Sequence, residues 1–176
     1  MKSKRLTFCA VMAAVSAVIM LVAWFPYLTY AVPLTASLTI LAVLIEYDKK
    51  SAIITYFASC VPVFLFCEIE AKFIYICFAG FYPVLKAVFE KIPFRPLEYV
   101  LKFLCFNVAV IAVYFVCKSV IGVGYDDMGQ LGKYGVWILI VGANAVFFAY
   151  DILLSRMAIF YIYRLQPAVD KILKRK

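Results

Sequence analysis

The sequence predicts an all-α protein, a single bundle of six transmembrane helices with both termini in the cytoplasm. Hydrophobic residues make up 67% of its 176 residues and charged residues only 16%, whereas a soluble domain averages roughly 45–50% and about 25%. A domain of this length buries only about 70% of the surface of its unfolded chain. So apolar a chain would leave large apolar patches in water, and we therefore expect lipid to surround it.

The second observation is the spacing of the apolar runs. A helix of about 20 apolar residues spans the hydrocarbon core of a bilayer. Charges, Pro or Gly separate six such runs, which predict one domain (residues 1–176) with spans at residues 6–24, 33–46, 51–67, 72–90, 97–120 and 134–163 and a basic cytoplasmic tail at 164–176. A signal peptide is an alternative interpretation of residues 6–23, but no small-residue cleavage site follows that run.

Two of the predicted spans depart from a regular transmembrane helix. The second covers about 14 residues, roughly 21 Å, which is shorter than a hydrocarbon core of about 30 Å. The apolar and aromatic residues 25–32 are therefore predicted to enter the membrane as a lid or re-entrant connection beside a cavity. In the fourth span, Tyr82 and Pro83 predict a kink, because Pro has no N–H to donate to the helix.

The orientation follows from the Lys and Arg residues between the spans. If the N-terminus is inside, twelve of them lie in cytoplasmic segments: Lys2, Lys4, Arg5, Lys49, Lys50, Lys91, Arg95, Arg164, Lys171, Lys174, Arg175 and Lys176. The outer segments hold three: Lys72, Lys118 and Lys133. This bias predicts a multi-pass protein of the cytoplasmic (inner) membrane with both termini in the cytoplasm. Topology and contact with anionic lipid headgroups account for the formal net charge of +8, so no nucleic-acid partner is expected.

Missing residue types exclude several classes of protein. The chain has no His, which excludes His-dependent catalytic triads and His-ligated metal sites. Its six Cys residues form no C-x-x-C pair, and a thiol within an apolar run behaves as a small hydrophobic group. No Walker motif for ATP hydrolysis is present. We therefore predict a protein that is not an enzyme and that uses neither a metal nor a cofactor.

Polar side chains within the spans are the first functional candidates. Asn144 and Asp151 lie within about 20° of each other on one helix face, which must face the bundle. Lys86 has a compatible depth, so we predict that Asp151 pairs with Lys86 or Arg156 and locks the helices together; a proton-relay or coupling role is the alternative. Asn107 reaches the depth of Asn144. This predicts an interhelical amide bond, with substrate contact as the alternative.

Aromatic and acidic residues gather at the predicted outer ends of the spans. They are Tyr27 and Tyr30 in one connection, Glu68, Glu70 and Tyr75 around a second, and Trp137 after a glycine-rich loop at residues 122–133. Tyr and Trp are typical of the membrane interface, and outer acidic residues are usually solvated. The alternative is that these residues, together with Asn144, bind a solute over which residues 25–32 close.

The first span carries alanines at a spacing of four, Ala10 with Ala14 and Ala13 with Ala17. Small residues so spaced let a second helix approach closely and pack by van der Waals contact. This pattern makes the first helix the candidate surface for docking a partner within the membrane.

The chain resembles the substrate-binding S component of energy-coupling factor transporters. The shared features are six spans, cytoplasmic termini, a basic N-terminus, an A-x-x-x-A first helix and a short second helix. The resemblance covers the whole chain at the level of architecture. It implies a subunit that captures a vitamin-like micronutrient from outside. It also implies that Ala10 and Ala14, with Ala13 and Ala17, dock on a transmembrane coupling subunit driven by two cytoplasmic ATPases. Residues 80–86 and 144–151 also resemble segments of uncharacterised membrane proteins of Gram-positive bacteria.

Two other classes stay open. The chain is also similar to the small six-helix membrane subunit of the rod-shape cell-wall machinery, which would make it a non-catalytic scaffold. An integral-membrane enzyme is the third class, but the chain lacks the clustered acidic motifs, such as D-x-x-D, that are typical of lipid-phosphate enzymes. A solute binder needs a cavity with polar groups open to the outside, whereas a scaffold can be packed solid.

Overall fold

Every regular element in the described part of the chain is a helix. The computed structural model describes residues 2–25, 27–121 and 132–173. Its helices are α1 (Lys2–Leu21), α2 (Ala31–Glu46), α3 (Lys49–Phe66), α4 (Ile69–Ile74), α5 (Tyr82–Phe89), α6 (Arg95–Ile121), α7 (Gly132–Phe160) and α8 (Gln166–Leu173). A 3-10 turn at Val22–Trp24 extends α1, and π-helical turns follow α4 (Tyr75–Ala79) and α7 (Tyr161–Leu165). The predicted all-α class is confirmed for these residues.

Five helical segments of the described residues are long and apolar enough to cross a membrane. They are Ser3–Trp24, Lys49–Phe66, Ile69–Phe89, Arg95–Val113 and Ile140–Val169. The remaining predicted span falls on α2, whose 16 residues extend about 24 Å at 1.5 Å per residue. The count of six membrane spans, and the direction in which they cross, stay predictions.

The short helix α2 lies at the centre of the bundle. It contacts α1, α3, α5 and α7, and ten of its 16 residues are buried. Ala36, Ile40 and Val43 belong to an apolar cluster shared with α1 and α3, whereas Leu41 belongs to a second cluster built mainly from α5, α6 and α7. Protein therefore covers most of this helix, and α2 joins the two halves of the core.

One end of the bundle is defined by contacts between Arg5, Asp48, Tyr161 and Glu46. The Arg5 guanidinium pairs with the Asp48 carboxylate (Nη2–Oδ2 3.0 Å), and the Tyr161 hydroxyl donates to Glu46 (3.2 Å). Asp48 also caps α3 by accepting from the Ser51 backbone N–H (2.6 Å). The hydrogen bond from Ser51, more than the charge of Arg5, holds the pKa of Asp48 below its ordinary value. We call this the basic end; it comprises residues 2–5, 46–50, 90–95 and 161–173.

The opposite end is aromatic and exposed. The Trp24 indole N–H donates to the Phe66 carbonyl (3.0 Å), and the Tyr30 hydroxyl donates to Glu70 (3.1 Å). Tyr27 is 97% exposed and has a left-handed backbone conformation (φ 77°). We call this the aromatic end; it comprises residues 22–25, 27–30 and 66–70. Most described residues of the connection at residues 25–32, which was predicted to enter the membrane as a lid or re-entrant segment, are exposed at the surface of the bundle, and their entry into the membrane stays a prediction.

The fourth predicted span is interrupted before its proline. The Gly80 N–H reaches back to the Tyr75 carbonyl (2.9 Å), which forms the π-helical turn. Pro83 then lies in the first turn of α5, where a missing N–H is tolerated. Gly80 is required by close packing, since a Cβ there would lie 2.8 Å from the Tyr56 ring and 2.9 Å from the Tyr75 ring. The predicted kink is therefore a break at Gly80 and Phe81, just before Tyr82.

Candidate functional site: two buried polar centres

A cluster of five ionisable residues joins α5, α6 and α7 near the basic end. We call it the charged centre; its members are Lys86, Glu90, Glu98, Lys102 and Asp151. The Lys86 ammonium forms an ion pair with Asp151 Oδ1 and lies 2.9 Å from the Asp151 backbone carbonyl. It also lies 3.2 Å from Glu90 Oε1, one helical turn along the chain. The expected pairing of Asp151 with Lys86 is thus present.

Lys102, which the sequence analysis did not select, completes the charged centre. Its ammonium lies 2.7 Å from Glu98 Oε1, 3.2 Å from Asp151 Oδ2 and 3.7 Å from Glu90 Oε1. The Tyr82 hydroxyl donates to Asp151 Oδ1 (2.7 Å). Each oxygen of the Asp151 carboxylate therefore faces its own cation.

The charged centre is closed on the Asp151 side and open at Glu90. The side chains of Lys102 and Asp151 are 3% and 11% exposed, whereas that of Glu90 is 47% exposed and faces the basic end. Two ammonium groups face three carboxylates, so the formal charge of the cluster is −1. Buried charges that all have partners favour a single packing of the helices that carry them. Arg156, the other candidate partner of Asp151, is exposed on α7.

A second, uncharged centre lies between α1, α3 and the π-helical turn after α4. The Tyr75 hydroxyl is 2.8 Å from Ser16 Oγ and 2.8 Å from Ser59 Oγ. Ser59 donates in turn to the Tyr56 carbonyl (2.7 Å), and the Tyr56 hydroxyl donates to the Ile76 carbonyl (2.6 Å). We call this group the hydroxyl centre; Tyr75, Ser16 and Ser59 within it are fully buried.

The position of Tyr75 corrects a prediction. Its aromatic ring was expected at the outer turn with Glu68 and Glu70, but it has no exposed surface. Ser16 and Ser59 are small enough to leave room for the ring, and their hydroxyls satisfy its polar atom, so the burial of the phenol carries little desolvation penalty. Tyr75 is therefore part of the core and is separated from the exposed residues of the aromatic end.

Two further polar contacts link the bundle across long distances in the chain. The amides of Asn107 and Asn144 exchange hydrogen bonds (3.0 and 3.3 Å), which is the predicted interhelical amide bond. The Tyr150 hydroxyl lies 2.6 Å from Ser37 Oγ and thus ties α7 to the central α2. Asn144 is therefore engaged with α6 through Asn107.

The remaining solute-binding candidates whose side chains the structure describes lie at the aromatic end. Tyr30 and Glu70 are in direct contact, as described above, and Tyr27 extends from the same connection. Glu68 caps α4, since its carboxylate accepts from the Ala71 backbone N–H (3.3 Å). The side chain of Trp137 lies outside the described residues, as do residues 122–131 of the predicted glycine-rich loop.

The four alanines of α1 divide between two faces. Ala13 is buried and Ala17 packs against the apolar cluster of α1, α2 and α3, whereas Ala10 and Ala14 are exposed. The resemblance grouped all four as docking residues. The structure separates an inner pair, which packs within the chain, from an outer pair that its own helices leave uncovered.

The sequence pattern could have indicated that Lys102 is a buried polar residue, but it could not have indicated Ser16 or Ser59. Lys102 lies within a predicted span four residues after Glu98, the same kind of signal that selected Lys86. Ser16 and Ser59 carried none, because a serine in an apolar helix is common and its partner lies on another helix.

Within the described residues, no group of three His, Cys, Asp or Glu side chains is placed to hold a metal ion. The fold and the two polar centres define a class, an all-helical chain whose helices suit a membrane and are joined by buried polar contacts. No protein-family model, curated protein or solved structure matches the chain.

Proposed function

We propose that this chain is a non-catalytic membrane subunit that captures a small solute at its aromatic end and docks through α1 on the partner that energises uptake. Following the resemblance to the S components of energy-coupling factor transporters, the partner is a transmembrane coupling subunit with two cytoplasmic ATPases. The observation that carries this proposal is the uncovered face of α1 with Ala10 and Ala14.

The exposed face of α1 that carries Ala10 and Ala14 can pack against another helix. No charged residue occurs between Leu6 and Trp24, and the exposed side chains beside the two alanines include Val11, Val15 and Val18. The opposite face of α1 already packs against α2 and α3. Small and β-branched side chains without polar groups allow close van der Waals packing between helices in lipid.

The aromatic end has the chemistry for solute capture. Trp24, Tyr27 and Tyr30 expose rings that can stack on a flat solute, and the Glu70 carboxylate can accept hydrogen bonds from it. The Lys and Arg residues of the basic end favour a cytoplasmic position for that end. The aromatic end would then face outward, as uptake requires.

The substitution Ala14→Trp tests docking. A bulky ring between two closely packed backbones costs about 1–3 kcal/mol even where the helices can adjust, so the partner should be lost in a pull-down and solute uptake should fall. The matched control is Val146→Trp, an exposed position on α7 (60% exposed). Unchanged partners and uptake in Ala14→Trp would contradict the proposal.

A non-catalytic scaffold is the second candidate, and a specific observation favours it. The Tyr75 and Tyr150 hydroxyls lie within hydrogen-bond distance of buried serines, and the Asn107 and Asn144 amides bond to each other, so these polar groups serve packing between helices. Co-purification in mild detergent separates the two candidates. A coupling subunit with two ATPases supports capture, whereas cell-wall synthesis proteins support the scaffold.

A further inference from the structure

A groove of about 270 Å³ lies at the basic end between α1 and α3. It is lined by Arg5, Leu6 and Cys9 from α1 and by Ser51 and Ile54 from α3. Its polar residues, Arg5 and Ser51, lie toward the helix ends, and its apolar residues lie deeper along the two helices. The groove is therefore polar at one end and apolar along its length.

The polar end contains a buried hydroxyl without a hydrogen-bond partner. Ser51 is 2% exposed, and its Oγ is the one buried side-chain polar atom without a partner among the described residues. The hydroxyl is close enough to Asp48 to help lower the pKa of that carboxyl, but it does not meet hydrogen-bond geometry. Since an unpaired buried hydroxyl costs free energy, an acceptor in the groove would satisfy it.

Positive charge lies beside the same point, next to the Asp48 carboxylate that caps α3. The Arg5 guanidinium contacts Asp48 through Nη2, which lies 3.0 and 3.1 Å from the two carboxylate oxygens. An arginine carries five N–H donors, which is more than this pair through Nη2 uses. The groove also adjoins the N-terminus of the 18-residue helix α3, whose dipole attracts anions. Lys50 adds a nearby charge, because it too lowers the pKa of Asp48.

The apolar end suits an acyl chain. Leu6 and Ile54 are 70% and 59% exposed, so the apolar wall continues onto the lipid-facing surface of α1 and α3. A free phosphate would leave this wall unused, whereas a phospholipid would fill both ends. Basic pockets between helices at the cytoplasmic side are typical binding sites for anionic lipid headgroups.

We propose that this groove binds one anionic phospholipid, with its phosphate held by Arg5 and the Ser51 hydroxyl and an acyl chain along Leu6, Cys9 and Ile54. Asp48 opposes the anion, but it also orients Arg5 and caps α3. A phosphodiester with a neutral headgroup, such as that of phosphatidylglycerol, fits because it brings no ammonium group toward Arg5.

Native mass spectrometry of the full chain in detergent, titrated with phosphatidylglycerol, tests the proposal. We expect one lipid to be retained and phosphatidylcholine to bind at least about tenfold more weakly. The variant Arg5→Gln should weaken phosphatidylglycerol binding about tenfold or more, and Ser51→Ala about two- to tenfold. Ser51→Ala removes no hydrogen bond of standard geometry, and its remaining effect within the protein is on the nearby Asp48 carboxylate.

Arg164→Gln is the matched control, since it removes one exposed charge from the same end but from outside the groove. Circular dichroism checks that all variants are folded. Equal binding of phosphatidylcholine, or equal weakening by Arg164→Gln and Arg5→Gln, would overturn the proposal. Competition by inorganic phosphate at the same concentration as the lipid would show an anion site without an acyl subsite and would also overturn it.

Discussion

The hydroxyl centre and the charged centre both place polar groups inside an apolar bundle, but they differ in charge and in exposure. Each joins helices that are distant in the chain by polar contacts within an apolar bundle. In the hydroxyl centre, Tyr75 and its two serine partners are neutral and entirely enclosed. In the charged centre, Asp151 is buried with Lys86 and Lys102, and the cluster opens at Glu90.

The difference reflects the cost of burying charge. A neutral hydroxyl loses little when its hydrogen bonds are replaced within the protein, so the hydroxyl centre can lie in the middle of the bundle. An ion loses a large hydration free energy. The charged centre accordingly lies near the basic end, where Glu90 is half exposed and Glu98 belongs to the first turn of α6.

The largest effect is expected from Asp151→Ala. The substitution leaves Lys86 and Lys102 buried without their shared carboxylate, and the loss of one partner of a buried pair costs about 3–5 kcal/mol. The free energy of unfolding, measured by denaturant titration in detergent, should fall by this amount. Glu90→Ala is the control from the exposed side of the same cluster and should cost about 1 kcal/mol or less.

A rescue variant sharpens this test. Asp151→Leu combined with Lys86→Met should recover part of the lost stability, because it removes a buried ammonium whose remaining partner is the half-exposed Glu90 and leaves Lys102 with Glu98. Equal losses in Asp151→Ala and Glu90→Ala would show that Asp151 is solvated and that the two centres do not differ as described.

Packing around the hydroxyl centre is tested by Gly80→Ala. The new methyl group would lie 2.8–2.9 Å from the rings of Tyr56 and Tyr75, and overpacking of this kind costs about 1–3 kcal/mol. Gly142→Ala is a matched control in α7, where nothing lies within 4 Å of the new Cβ. That control should be neutral or stabilising by up to about 1 kcal/mol, because Ala favours helix over Gly. Similar thermal midpoints for the two variants would contradict the close packing at Gly80.

The hydrogen bonds of the hydroxyl centre are tested by Tyr75→Phe. Ser16 loses its partner, while Ser59 keeps the Tyr56 carbonyl, so we expect a loss of about 1–2 kcal/mol. Tyr27→Phe removes the same hydroxyl from a residue that is 97% exposed and should leave the thermal midpoint unchanged. If Tyr75→Phe also changes nothing, the hydroxyl centre contributes by packing alone.

The smallest effect on stability is expected from the exposed ion pair of Arg5 and Asp48 at the basic end. The pKa of Asp48 is lowered in the folded chain, so its stabilising effect is complete above the unfolded pKa of about 3.9 and is lost as pH falls through the folded value. The stability difference between the wild type and Asp48→Asn should therefore be small near neutral pH and should shrink below about pH 4. A difference that grows on acidification would reverse the assigned direction of the shift.

The helices themselves followed from the sequence. Hydropathy and the positions of charges are local properties, and each of the six apolar runs lies on a helical segment of the structure. Depth along a helix is also a local count, because each residue advances the axis by a constant 1.5 Å. It placed Lys86 beside Arg156 as a candidate partner of Asp151 and placed Asn107 at the level of Asn144, and both Lys86–Asp151 and Asn107–Asn144 are in contact.

Rotation and packing of the helices were decided only in the tertiary structure. The depth of a residue along a helix does not determine which way its side chain faces. The sequence therefore did not predict that Ala13 is buried while Ala14 is exposed, or that Tyr75 lies in the core. Ser16 meets Tyr75 across 59 positions of the chain, and Lys102 meets Asp151 across 49. Such contacts depend on how three or more helices pack together, and no window of sequence contains both partners.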